Sequence, residues 1–480
     1  MKTFRLYGRM AAVLLLSFLL TFFSVGCTDT ETASSSLPVS TPSPSPSPEP
    51  EQTFTGRLML YEEGERMTLQ TEEQETCTFS IKNVEITGLP GIQTGDRFTL
   101  WYRGTLDPEA EVQPVTVTRA EKIESAEDSI PLEWQDGGVF SDEYSKAFVA
   151  LQSMSLEEKV GQVLLGSVPG ENAASDAAAY HLGGYVTFAK EYQDKTRWQI
   201  QNMIQGWQSG AKIPLIIAVD EEGGDVVRIS QNTNLRGTPF RSSQLLFAMG
   251  GMERIKSDAA EKASLLTELG VNVNLAPVAD VSTSREDFIY SRTLGQGPEE
   301  TAEYVTTVLQ QFQKKNLSAV LKHFPGYGSN SDTHTGASLD ERTLLELENR
   351  DLIPFQAGID AGVYAIMVSH NTVAAMDKTL PASLSPEVHR YLRETMGFTG
   401  VIMTDELSMD AISGEKLPLE KGVGIYTQAL LAGNDLLLCN DYTAAYEEIL
   451  QAVQDGIISE DLLNRAVFRI LCWKCTLGLM

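Results

Sequence analysis

Cysteine is scarce in this chain: five residues in 480. Cys27 stands near the N-terminus, and Cys77, Cys439, Cys472 and Cys475 are scattered, which excludes a disulfide-dense scaffold. Cys472-Trp473-Lys474-Cys475 has no second pair and no redox βαβ context, so it reads as structural residues at a helix end. Positive charge is also short. Lys and Arg number 37 against 65 Asp and Glu, a formal net charge of −28. Neutralising phosphates needs an excess of cations, so no nucleic-acid partner is expected. There is no H-E-x-x-H pair of ligands, no G-x-S-x-G nucleophile elbow, and no Gly-rich phosphate turn in Gly166-Ser167-Val168-Pro169-Gly170. No cofactor and no metal are expected. His323 and His334 with Asp405 leave metal-dependent hydrolysis open as a minor alternative.

What is present begins with processing signals. Lys2, Arg5 and Arg9 precede the apolar run Met10 to Phe23, which is short for a membrane span that persists. Ser24-Val25-Gly26-Cys27 resembles a bacterial lipoprotein cleavage site, with Ser24 where Leu is usual. Residues 1–27 therefore read as a signal peptide with Cys27 as the expected lipidated residue, and plain secretion after Gly26 is the alternative. Residues 28–52 are Ser, Thr, Pro and Glu, with alternating Pro and Ser from Pro42 to Pro48. Such a tract stays extended and acts as a tether. The expected location is the outer face of a bacterial cytoplasmic membrane, with the membrane as partner through the lipid.

Residues 53–124 have β texture. Short apolar and β-branched runs (Phe54 to Leu60, Thr76 to Ile81, Phe98 to Tyr102, Val115 to Val117) alternate with turn signals such as Thr94-Gly95-Asp96. About five strands in a small barrel or sandwich of OB-fold kind are expected. Residues 125–139 read as a second linker. From 140 to 480, apolar runs alternate with helical spacing: Val163–Leu165, Gly184–Phe188, Leu215–Val219, Val271–Pro277, Ala319–His323, Ala365–His370, Val401–Thr404 and Asp435–Leu438. Helices are expected over 253–269, 298–315 and 339–362, and Ser155 with Glu158 reads as a capping box. The pattern predicts an α/β chain whose main domain is a (β/α)8 barrel of TIM type; a doubly wound open sheet is the competing architecture.

Polar residues follow these runs: Asp220-Glu221-Glu222-Gly223-Gly224, Asp280, Lys322-His323, Ser369-His370 and Asp405-Glu406. In a barrel, all these ends lie on one face. Carboxylates, imidazoles and cations gathered there suit hydrolysis of a neutral polyhydroxylated substrate, such as a sugar, by paired acid and base groups.

Residues 154 to about 440 resemble glycoside hydrolase family 3, in its β-N-acetylhexosaminidase branch. The resemblance rests on Met154-Ser-Leu-Glu-Glu-Lys159, Asp220-Glu-Glu-Gly-Gly224, Val271-Asn-Val-Asn-Leu-Ala-Pro-Val278, Lys322-His-Phe-Pro-Gly326, Asp332-Thr-His334 and Ile402-Met-Thr-Asp-Glu-Leu-Ser-Met409. It implies a retaining, exo-acting β-N-acetylglucosaminidase acting on carbohydrate, with peptidoglycan fragments or chito-oligosaccharides as substrates. It implies Asp405 as nucleophile, His334 as general acid/base oriented by Asp332, and Asp220, Arg228, Arg292, Lys322 and His323 as sugar-binding groups. Asp280 and His370 look like supporting groups, and His181 and His389 read as surface or helix residues. The family usually has His where this chain has Tyr327, and Arg where it has Asp225, which leaves the leaving sugar open. A β-glucosidase or glycosyl phosphorylase of the same family, and a wall-binding lipoprotein with an inactive barrel, remain alternatives.

Overall fold

The computed structural model describes residues 49–480 except positions 74, 90, 334, 335, 337, 410, 411 and 413–416. Cys27, the signal segment and nearly all of the tether lie outside the described residues, as does His334. Among the described residues, no helix is long and apolar enough to cross a membrane.

The first sheet has six strands: β1 Gln52–Glu62, β2 Arg66–Gln70, β3 Thr76–Ser80, β4 Ile86–Gly88, β5 Arg97–Arg103 and β6 Thr116–Glu124, in the order β3-β2-β1-β5-β6-β4. Alternation along β1, β2 and β5 sends Phe54, Leu58, Met67, Leu69, Phe98 and Leu100 to one face, where they form a core with Phe79. Two of the six strands, β2 and β4, match none of the runs read from the sequence; β4 is three residues long and parallel to β6. A short edge piece of this kind carries no periodic signal.

The expected linker at 125–139 is instead folded. It makes two 3₁₀ turns, Ala126–Ser129 and Leu132–Trp134, and Ile130 and Trp134 are buried in the core of the domain that follows. The Trp134 ring centroid lies 5.4 Å from that of Phe468. Asp96 ties the segment back to the sheet: its carboxylate accepts from the Ala126 N–H at 2.9 Å and pairs with buried Lys122 at 2.8 Å. Two apolar anchors among polar residues read like a tether from composition alone.

The main domain is a parallel barrel. Its strands are Leu164–Ser167, Gly184–Thr187, Ile216–Val219, Val273–Asn274, Ser318–Phe324, Ala365–Val368, Val401–Thr404 and Leu437–Cys439, each overlapping an apolar run read from the sequence. They neighbour one another in chain order, the eighth pairs with the first, and a bridge between Met403 and Leu436 joins the seventh to the eighth. The fourth strand is the shortest because side chains replace part of its ladder. Asn272 Oδ1 accepts from Ile217 N–H at 2.9 Å, and Asn274 Oδ1 accepts from Glu221 N–H at 3.0 Å.

Ser155 and Glu158 form the expected capping box at helix Leu156–Gln162. The helices Ser243–Leu269 and Pro298–Gln313 cover two other expected spans; the first is kinked at Gly250 and Gly251. The span 339–362 is not one helix. Leu339–Asp340 pairs with Thr372–Val373, and helices follow at Leu344–Glu348 and Leu352–Asp360. Arg342 holds the buried Asp340 carboxylate at 2.6 Å, so the chain stays extended until Thr343 caps the first of these helices. Cys472 and Cys475 are buried and unpaired on the last helix, Glu460–Thr476. His389 sits on a helix as expected but is buried, with Nδ1 against Ser385 O at 2.8 Å.

Candidate active site

Asp220, Arg228, Arg292, Lys322, His323, Asp332 and Asp405 line one cavity of about 320 Å³ at the carboxyl ends of the barrel strands. Val226, Leu275, Phe288, Met367 and Leu438 complete its wall. Of the pocket residues picked from the sequence, His334 alone falls outside the described residues.

The loop after the third strand is shaped by alternation. Extended backbone turns Asp220 and Glu222 to one side and Glu221 to the other. Glu221 is fully buried and accepts the N–H groups of Arg228 at 2.8 Å, Ile229 at 2.7 Å and Ser230 at 3.2 Å, which folds residues 221–230 back on themselves. Gly223 turns this loop at φ +105, where a Cβ would stand 2.2 Å from the Arg241 carbonyl oxygen.

Glu222 is the hub of the polar floor. Lys322 Nζ reaches Glu222 at 2.7 Å and Asp220 at 2.6 Å, while Arg292 grips Glu222 through Nη2 at 2.7 Å and Nε at 3.1 Å. Burial disfavours the charges of Glu222, Arg292 and Lys322, yet the pairing outweighs it. The Glu222 carboxyl is held well below the usual carboxylate range by Lys322 and Arg292. The Lys322 ammonium is raised, burial being overcome by Asp220 and Glu222.

His323 stands beside this cluster. Arg292 Nη2 lies 3.2 Å from its Nε2, and a guanidinium can only donate, so Nε2 accepts and Nδ1 carries the hydrogen toward Asp280 Oδ2 at 2.8 Å. The same carboxylate takes the backbone N–H of His323 at 3.1 Å and of Tyr327 at 2.7 Å. Asp280 thus supports the pocket from behind, as read from the sequence. Both ring nitrogens of His323 are engaged by protein groups. Among the described residues, no cluster of three His, Cys, Asp or Glu could hold a metal ion.

Asp405 ends the seventh strand, its N–H donating to Val368 O at 3.0 Å and its Oδ1 accepting from Glu406 N–H at 2.9 Å. Burial would lift this carboxyl, but the positive charge gathered around it, together with the Glu406 N–H, outweighs burial and holds it below its ordinary value. His370 buttresses the same turn: Nε2 faces the Glu406 carbonyl at 2.9 Å and Nδ1 faces Ser383 Oγ at 2.7 Å.

Besides the aliphatic wall, Glu222 behind the pocket floor and Phe288 on its wall escaped the sequence reading. Glu222 sat inside the quoted motif, and its period-two spacing from Asp220 was the signal that could have found it. Phe288 lies in a polar stretch, Ser284 to Asp287, with no periodicity to mark it. The assembled site offers an ionised carboxylate, a lattice of donors and acceptors, and an aromatic wall, a set that fits a neutral ring rich in hydroxyls.

The family model "Glycosyl hydrolase family 3 N terminal domain" matches residues 155–472. A β-hexosaminidase of Nitrosomonas eutropha is 31% identical over 288 residues, covering 57% of this chain and 78% of that one. The β-hexosaminidase LpqI of Mycobacterium tuberculosis is 28% identical over 335 residues, covering 67% and 83%. A solved family 3 β-N-acetylglucosaminidase from a Paenibacillus species superposes with a TM-score of 0.63 at 31% identity, over 68% of this chain and 63% of that one.

Proposed function

The chain belongs to glycosyl hydrolase family 3, and from that premise we propose that it is an exo-acting β-N-acetylglucosaminidase that works with retention of configuration. Asp405 attacks the anomeric carbon and forms a glycosyl-enzyme. His334, with Asp332 beside it in the chain, gives a proton to the leaving oxygen and then takes one from water. Asp220, Arg228, Arg292, Lys322 and His323 hold the terminal sugar. The observation that carries this reading is Asp405: a carboxylate kept ionised on the wall of a cavity in which Asp220, Lys322, Arg292 and His323 are each engaged by neighbouring side chains. A nucleophile must be anionic when substrate arrives, and its neighbours secure that. The β-hexosaminidase names of the curated relatives and the Paenibacillus β-N-acetylglucosaminidase support the choice of sugar.

Trapping with a 2-acetamido-2-deoxy-5-fluoro glycosyl donor, then mass spectrometry of peptides, tests the mechanism. A label on Asp405 is expected, and a label elsewhere removes the assignment. Asp405→Asn is expected to lower kcat by about 10⁴-fold or more, the scale on which removing a covalent nucleophile acts. Aryl N-acetylglucosaminide is expected to be cleaved far faster than aryl glucoside, and added phosphate is expected to leave the product a free sugar.

We also infer that the barrel is displayed outside a bacterial cytoplasmic membrane on a lipid at Cys27, with peptidoglycan fragments or chito-oligosaccharides as substrates. The basic and apolar N-terminal segment and the Pro/Ser tract support this reading. Palmitate labelling of the full chain, lost on Cys27→Ala, is the measurement that decides it.

A further inference from the structure

Tyr327 stands where the family usually has His, and nothing in the proposed mechanism uses it. Its position is unusually well tied. The ring is buried, meeting His323 edge-on at a centroid distance of 5.1 Å and Phe288 at 5.6 Å. Its backbone N–H donates to Asp280, the carboxylate that orients His323. Its hydroxyl makes a 2.5 Å hydrogen bond with Thr333 Oγ1, and Thr333 is fully buried. Burial and the nearby charge of Asp405 push the phenol well above its ordinary range, so the hydroxyl keeps its hydrogen wherever the enzyme works.

Thr333 lies between Asp332, which lines the cavity, and His334. The loop holding them is fixed at its root by a second device. Arg342 donates to the Gly326 carbonyl at 3.1 Å, to Asp340 at 2.6 Å and to Asp351 at 2.6 Å. Gly326 and Asp340 are the two ends of the loop, so Arg342 closes it. Between those ends, Ser329 and Ser331 face solvent while Thr333 is turned inward. The Tyr327 hydroxyl, bonded to Thr333, draws the middle of the loop toward the floor of the pocket.

We propose that Tyr327 is a positioning residue for proton transfer: its hydroxyl, through Thr333, sets the Asp332–His334 arm against the leaving oxygen, while its ring keeps that arm in register with His323 and Phe288. The proposal rests on the reading that this loop supplies the acid/base. A sugar whose leaving group needs a proton depends on the placement of that arm. One whose leaving group departs unaided does not.

The test is a leaving-group series of N-acetylglucosaminides, from 2,4-dinitrophenyl through phenyl to the N,N′-diacetylchitobiose disaccharide. It is run on the full chain and on Tyr327→Phe, Thr333→Val, the double variant and His334→Ala. Tyr327→Phe keeps the ring packing and removes only the hydroxyl. It is expected to lower kcat on the disaccharide by about 10- to 100-fold and on the dinitrophenyl compound by no more than about twofold. Thr333→Val is expected to match it, and the double variant to be no worse than either single one, because both break one bond. An equal loss across the series, no loss at all, or additive single effects overturns the assignment of Tyr327 when His334→Ala remains selective for good leaving groups. If His334→Ala is not selective, the acid/base reading falls and the assignment of Tyr327 falls with it.

Discussion

The barrel buries a lysine at each end, and the two have opposite fates. Lys322 lies at the carboxyl ends of the strands, 2.6 Å from Asp220 and 2.7 Å from Glu222, and its ammonium is favoured beyond the ordinary lysine value. Lys474 lies on the last helix, fully buried, with its Nζ 2.7 Å from Gln162 Oε1, just ahead of the first strand. Burial pushes it down to about 7. One residue type in nearly equal burial is kept charged at one end and is half discharged at the other. Burial therefore does not decide the charge; the carboxylates supplied by the strand ends do. Charge survives burial where carboxylates stand beside it, as at Lys322, and is given up where burial acts alone, as at Lys474.

The hardest way to break that contrast is to make the upper end resemble the lower one. Glu222→Gln removes the carboxylate shared by Lys322 and Arg292 and leaves two buried cations facing Asp220 and a neutral amide. Breaking one side of a buried ion network costs about 3–5 kcal/mol. A drop of kcat/KM on the order of 10³-fold is expected, with a lower thermal midpoint. Wild-type activity with an unchanged melting curve would mean that the floor of the pocket tolerates unpaired charge.

A smaller break is expected from Asp280→Asn. Asp280 accepts the Nδ1 hydrogen of His323, and Arg292 fixes the other nitrogen as acceptor. An amide in place of the carboxylate still fills the space but no longer offers two acceptors, so the imidazole loses its fixed orientation. A loss of about 10²-fold in kcat/KM is expected, falling mainly on KM if His323 holds ground-state sugar. Steady-state kinetics on an aryl N-acetylglucosaminide separates the two parameters.

How much of this was legible follows from the same physics. All the barrel strands were readable because a strand buried on both faces is a continuous apolar run, and Ile216–Val219 or Val401–Thr404 cannot be much else. Asp220, Lys322 and Asp405 were readable because each stands where such a run stops. What failed to show was structure made by single side chains reaching far along the sequence. Trp134 packs on Phe468, Arg342 binds Gly326 and Asp351, and Phe288 meets Tyr327. None of these contacts has a period. The linker reading of 125–139 and the single helix over 339–362 both gave way to anchors of that kind.

The mildest test works at the lower end alone. Lys474 has a folded value of about 7, against about 10.4 in an unfolded chain. Between those values the unfolded chain binds the extra proton, so this group makes the fold more stable as pH rises from 7 toward 10, and it destabilises fully below 7. Lys474→Met removes the titration and fills the same space with an apolar side chain, though Gln162 Oε1 loses its donor, a cost of about 1–3 kcal/mol. At neutral pH the relief of the lysine exceeds that cost, so a rise of a few degrees in thermal midpoint is expected. The decisive quantity is the difference between variant and wild type as pH climbs. The other titrating groups are common to both proteins, so the advantage of the variant is expected to shrink steadily from pH 7 to pH 9.5. A difference that stays flat over that range would mean that Lys474 keeps its proton in the folded barrel, and that the two buried lysines are alike after all.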